Sequence, residues 1–123
     1  VGMGAKSKLL NNFLSLGNAA LVNHLAKTAT ELGLDLQKVF DVAKLGSGNS
    51  AGLIRIFENL LKGDFKGFKF TAMNSVKDLS YIQDLLKDFP EAEKVAEVNK
   101  NYFQKAVDDG YGESFISELI EKK

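Results

Sequence analysis

One uninterrupted helical pattern, from about residue 4 to residue 32, constrains this chain more than any other feature. It is unusually long for a small domain. Leu10, Phe13, Leu14, Leu21 and Leu25 recur on one side of it, Gly33 ends it, and Asp35 is poised to cap the next helix. The remainder is helical too, because a single proline and few β-branched runs leave little to build strands from. An all-α domain of about six helices is predicted.

The other elements follow from their punctuation. A second helix is predicted over about Leu36 to Leu45, with Val39, Val42 and Ala43 inward, until Gly46-Ser47-Gly48-Asn49-Ser50 breaks it. A third spans about 51 to 62. Gly63 to Phe70 is a glycine-spaced aromatic loop that should form one unit with a fourth helix, capped by Thr71 and carrying Leu79, Ile82, Leu86 and Phe89 as its apolar stripe. Pro90 suits the start of a fifth helix through Ala106, ended by Gly110 and Gly112. A short sixth carries Phe115, Leu119 and Ile120.

Composition excludes several function classes. The 16 basic residues balance the 16 acidic ones, with no basic block, so there is no footprint for nucleic acid. The absence of cysteine excludes disulfides and thiol chemistry and fits a reducing cytoplasm. No apolar run approaches the length of a membrane span. A chain of 123 residues can bury a real core by itself.

Chemistry concentrates at the head of the long helix, in Gly2-Met3-Gly4-Ala5-Lys6-Ser7-Lys8-Leu9-Leu10-Asn11-Asn12. The glycines allow backbone angles and close approach that a Cβ would forbid. Lys8 and Asn12, four residues apart, emerge on one face, so an amine and an amide converge on one point. At about 100° per residue, Ser15, Ala19 and Ala26 continue that narrow stripe, polar at its head and small beyond. Such a stripe suits close packing of another domain or a cofactor, and small residues also serve ordinary helix contacts.

Gly-x-Gly-x-x-x-Lys-x-x-Asn-Asn resembles the catalytic segment of the β-hydroxyacid dehydrogenase family, which includes the 3-hydroxyisobutyrate dehydrogenases. The likeness continues through Gly33-Leu34-Asp35, Ser47-Gly48, the segment from Phe70 to Lys77-Asp78, and Tyr111-Gly112. It covers nearly the whole chain but only the C-terminal half of such an enzyme. Asn11 stands where 6-phosphogluconate dehydrogenases carry histidine, and related imine reductases commonly lack the lysine, so the hydroxyacid reading fits best.

The resemblance implies a helical domain like the C-terminal one of 6-phosphogluconate dehydrogenase, acting in substrate binding and dimerisation. It implies an NAD- or NADP-dependent oxidoreductase that oxidises a small 3-hydroxy acid or reduces the matching semialdehyde. Lys8 is the implied catalytic acid/base, because alcohol oxidation sends a hydride from carbon and a proton from oxygen. A base role needs burial or neighbouring positive charge. Asn12 is implied to orient Lys8 and the substrate oxygen, Phe70 and Asp78 to border the substrate pocket, and Lys77 to reach toward the cofactor. Without the first motif, Phe70 would read as a helix staple and Lys77-Asp78 as a solvated pair.

His24, the only histidine, lies some 160° around the helix from Lys8 and reads as a satisfied core or interface residue. The family often has glutamate in an Ala-Glu-Ala context where this chain has Asn23-His24-Leu25. Gly2-x-Gly4 lacks the third glycine and the preceding strand of a dinucleotide-binding turn. The chain is therefore expected to be the C-terminal domain of a longer enzyme, inert alone, with a separate Rossmann domain binding most of the cofactor. The rival expectation is a free-standing helical dimerisation module without catalysis.

Overall fold

The computed structural model describes residues 2–122. They form five α-helices, α1 (Gly2–Glu31), α2 (Leu36–Leu45), α3 (Ala51–Leu60), α4 (Ala72–Leu85) and α5 (Pro90–Ala106). A π-helical turn at Val107–Tyr111 and a 3-10 turn at Ile116–Ile120 complete the order. There is no β-strand among the described residues, and the fold is all-α with a long first helix.

Side-chain chemistry places the boundaries. Gly33 adopts φ +74°, a left-handed conformation that costs glycine little, and so turns the chain out of α1. Asp35 Oδ1 then accepts from the Gln37 N–H at 2.9 Å and opens α2. Ser50 Oγ accepts from the Leu53 N–H at 3.0 Å, and Thr71 Oγ1 from the Asn74 N–H at 3.1 Å, opening α3 and α4. A cap of this kind stabilises by about 1 kcal/mol. Pro90 takes the first turn of α5, where its missing N–H has no helical partner to lose.

The chain divides into two compact units, Val1–Gly17 with Phe70–Ser114, and Asn18–Lys69 with Phe115–Lys123. In the first unit α4 packs along α5. Ala72, Leu79, Ile82 and Leu86 are buried there, as are Ala96, Phe103 and Ala106. Gln83 Nε2 also donates to Glu93 Oε2 at 2.6 Å. The expected stripe stops short of Phe89, which is 61% exposed. The reason is that α4 ends at Leu85, so Phe89 stands at the cap of α5 and has lost the phase of the preceding helix. At the far end of α5, Lys105 is held above the ordinary lysine pKa by its hydrogen bond to Asp109, 2.9 Å away. Both are exposed, so the pair adds little to stability.

The second unit has its core around α3, whose Leu53, Ile56, Phe57 and Leu60 are buried with Ile116 and Leu119 of the 3-10 turn. Phe40 of α2 stacks on Phe57 with ring centroids 5.5 Å apart. That stack sets the rotation of α2 and overturns the expected inward face. Val42 lies about 200° around the helix from Phe40 and is 75% exposed, while Val39 and Ala43 are half-buried.

The part of α1 in this unit is also turned away from expectation. Its buried face is small, with Ala19, Ala20, Val22, Asn23, Ala26 and Ala29, whereas Leu21 and Leu25 are exposed. In the first unit, Leu10 and Leu14 of α1 are exposed as well. Small side chains allow neighbouring backbone to come close, and here Asn23 Nδ2 donates to the Ile116 carbonyl at 2.8 Å. These four leucines are left on the outside, while Leu16 is buried.

The aromatic loop belongs to the second unit rather than with α4. Phe68 is buried beneath the Arg55 guanidinium, 5.2 Å from the ring centroid. Its N–H donates to Ser117 Oγ at 3.0 Å, and the Ser117 hydroxyl donates to the Phe65 carbonyl at 2.6 Å. A Cβ on Gly67 would lie 2.6 Å from the Arg55 carbonyl oxygen, so only glycine fits where the loop crosses α3. These contacts tie residues 65–68 to the core and leave Phe70 alone with the first unit.

Candidate active site

Two segments far apart in sequence supply the candidate site, and both lie in the first unit. The first turns of α1 present Lys8 and Asn12 one helical turn apart. Thr71 starts α4 directly after Phe70, which places Lys77 and Asp78 on its second turn. Asn12 Nδ2 donates to Asp78 Oδ2 at 3.4 Å across a separation of 66 residues. Both partners are half-buried, as is Phe70, whereas Lys8, Asn11 and Lys77 are exposed. The sequence motifs are thus joined at Asn12 and Asp78, and the two lysines stand in solvent beside that junction.

The stripe running on from Lys8 divides in two. Ser15 is exposed, but Ala19 and Ala26 are fully buried. The small tail of the stripe is therefore filled by the protein itself, and only its polar head is open to another molecule. Gly2 and Gly4 lie inside α1 with ordinary helical angles, so they serve no special turn. A Cβ on either would meet nothing within 4 Å. His24 is exposed and falls in the second unit, which corrects the core half of its core-or-interface reading.

Hydrogen bonding defines where an anion is not held. The first four backbone donors of α4 are all engaged: Ala72 to the Ser114 carbonyl, Met73 to the Gly112 carbonyl, and Asn74 and Ser75 to Thr71. This helix start is closed to a phosphate. In the Gly46 to Ser50 loop, the Ser50 hydroxyl donates to Asn18 Oδ1 at 2.9 Å while capping α3, so it too has a structural task. The exposed Lys8 and Lys77 carry the positive charge of the candidate site.

The sequence left the Asn12 to Asp78 bond unforeseen. Each residue stood in a recognisable motif, but nothing local records which side chain of α4 faces which side chain of α1. Asn23 and Ser117 were likewise overlooked as polar anchors. Their signal was present, since each is a small polar residue set among apolar neighbours on a helical segment.

Comparison with known proteins bears on the whole chain. The profile of the family described as NAD-binding of NADP-dependent 3-hydroxyisobutyrate dehydrogenase matches residues 2–122. An L-threonate dehydrogenase of Haemophilus influenzae is 25% identical over 120 residues, which is 98% of this chain and 40% of that protein. The chain thus spans about two fifths of the length of this curated relative. With a match across all but its two terminal residues and the lysine and asparagine motifs in place, the chain belongs to the 3-hydroxyisobutyrate dehydrogenase-like branch of the β-hydroxyacid dehydrogenase family.

Proposed function

We propose that this chain is the C-terminal, substrate-binding part of an NAD(P)-dependent dehydrogenase that interconverts a small 3-hydroxy acid and its semialdehyde. The observation that carries the reading is the Asn12 to Asp78 hydrogen bond, which brings the two motifs into one place. Family membership supplies the reaction class. Both the L-threonate dehydrogenase relative and the family description concern hydroxyacids, so a carboxylate-bearing alcohol is the substrate class.

In this reading Lys8 Nζ takes the proton from the substrate hydroxyl during oxidation and returns it during reduction. Asn12 orients that amine and the substrate oxygen. Phe70 and Asp78 border the pocket, and Phe70 supplies an apolar wall that excludes water from one side. When bound, the dinucleotide accepts or supplies the hydride. The described residues contain no strand, turn and helix of the kind that cradles a pyrophosphate, and the start of α4 is closed, so they fit only the edge of such a cofactor. Lys77 is the residue here that reaches toward it. A separate Rossmann domain binds the rest and covers the exposed Lys8, supplying the desolvation that a base role requires. No helix among the described residues is long and apolar enough to cross a membrane. A cytoplasmic location is part of the same proposal and rests on a cysteine-free chain that fits a reducing compartment.

The test compares this chain with a full-length protein carrying a Rossmann domain. The full-length protein is expected to bind NAD or NADP at micromolar levels and to turn over 3-hydroxy acids, while the chain alone does neither. Micromolar dinucleotide binding to the chain, measured by calorimetry, would place the cofactor site in the helical domain and overturn this division of labour.

We also infer a homodimer or larger homo-oligomer. Leu21 at 68%, Leu32 at 69% and Leu45 at 86% exposure stand with Val42 as large apolar side chains on the second unit. Leu25, Leu34, Val39 and Ala43 line an open apolar groove of about 450 Å³ on the same unit. A second copy of the chain would cover this surface with like residues, as a two-fold interface requires. Light scattering at tens of micromolar is expected to give at least a dimer. A monomer at that concentration would refute the inference.

A further inference from the structure

The hydrogen bond at Asp78 decides which end of the Asn12 amide faces outward. A carboxylate only accepts, so it attracts the NH2 end of an amide and repels its oxygen. The two ends are otherwise nearly the same shape, and without a charged neighbour either could face the ligand. With Nδ2 held 3.4 Å from Asp78 Oδ2, the Asn12 oxygen is the end turned away from the carboxylate. Both residues are half-buried, which limits the water that would otherwise compete for the bond.

The neighbour of Asn12 on its own helix is Lys8, one turn earlier on the same face. An ammonium has three donors and no acceptor, and a neutral amine still has donors to spare. Only the oxygen end of the amide can hold it. We propose that Asp78 is a positioning residue that locks the Asn12 amide with its oxygen toward Lys8, and that this oxygen aims the Lys8 amine at the reacting substrate oxygen. The proposal rests on the dehydrogenase reading and deepens it. Asp78 borders the pocket, and its contribution to catalysis runs through Asn12.

Two variants and two readouts test it. In the 123-residue chain, Asp78→Ala is expected to shift the side-chain NH2 resonances of Asn12 and to speed their exchange with water. In the full-length enzyme the same substitution should lower kcat by up to about 100-fold, the scale of a catalytic group displaced by an ångström, with KM little changed. The double variant Asn12→Asp with Asp78→Asn reverses the bond. Its amide donates from α4 to a carboxylate on α1 whose second oxygen still faces Lys8, so most of the lost kcat should return.

Unaltered Asn12 resonances in a folded Asp78→Ala chain would overturn the proposal. So would a raised KM with kcat intact, which marks a substrate contact, or a double variant no better than Asp78→Ala. If the resonances respond while the wild-type full-length protein turns over no hydroxyacid, the amide lock stands and the dehydrogenase reading falls.

Discussion

Replacing Lys8 with alanine in the full-length dehydrogenase is expected to lower turnover by about 10²- to 10⁴-fold, the usual scale for losing a general acid or base. Cofactor affinity should be nearly unchanged, because the proposed mechanism gives this residue the proton and not the dinucleotide. Lys8→Arg should fail to restore activity. Arginine keeps the charge and can polarise an oxygen, but it holds its proton far above neutral pH and cannot accept one from an alcohol. Steady-state kinetics with a 3-hydroxy acid would check both variants. His24→Ala serves as the control, since an exposed residue of the other unit should leave turnover near wild type. A near-normal rate for Lys8→Ala beside an inactive, folded His24→Ala would transfer the role away from the lysine.

The largest stability effect is expected at Phe57. Its ring is fully buried in the second unit and stacked on Phe40, so Phe57→Ala removes a large apolar side chain and leaves a cavity against a second ring. Substitutions of this type cost about 3–5 kcal/mol. Small domains have only about 5–15 kcal/mol in total, so most of the available stability could be lost. Urea unfolding followed by circular dichroism should show the midpoint fall steeply. Phe57→Leu, which refills most of the space, should recover the greater part. A midpoint unchanged by Phe57→Ala would mean that α3 does not centre this core.

What the sequence revealed of this fold depended on whether the signal was local. Asp35, Thr71 and Pro90 announced helix starts because their effect falls on the next turn of their own helix, and all three stand where those helices begin. The facing of the helices was less legible. Counting leucines put Leu21 and Leu25 on the apolar side of α1, yet the helix turns its alanines inward, because close approach to neighbouring backbone favours small residues over large ones. Val42 misled in the same way, since one distant stacking partner, Phe57, rotates the whole of α2. Size told how much surface a residue could bury, and only the packing told against what.

The candidate site divides along the same line. Lys8 and Asn12 were readable as a pair because helical spacing puts them on one face. Lys77 and Asp78 looked like an ordinary solvated pair by themselves, and only the resemblance attached them to the first motif. Their true relation differs between the two neighbours: Asp78 is drawn in against Asn12, and Lys77 stays in solvent. Adjacent residues on a helix point about 100° apart, so one can anchor the site while the next faces an incoming ligand.

The Ser117 clasp also sets an order of events during synthesis. The second unit is built from two stretches of chain, with residues 70–114 of the other unit made between them. The loop at residues 65–68 therefore waits, its Phe68 N–H and Phe65 carbonyl lacking the hydroxyl that joins them, until residue 117 has left the ribosome. At about 5–20 residues per second that interval is a matter of seconds, long compared with the microseconds in which helices form. During it the loop lacks the hydroxyl that fastens it, so the closing of this unit waits on its last few residues.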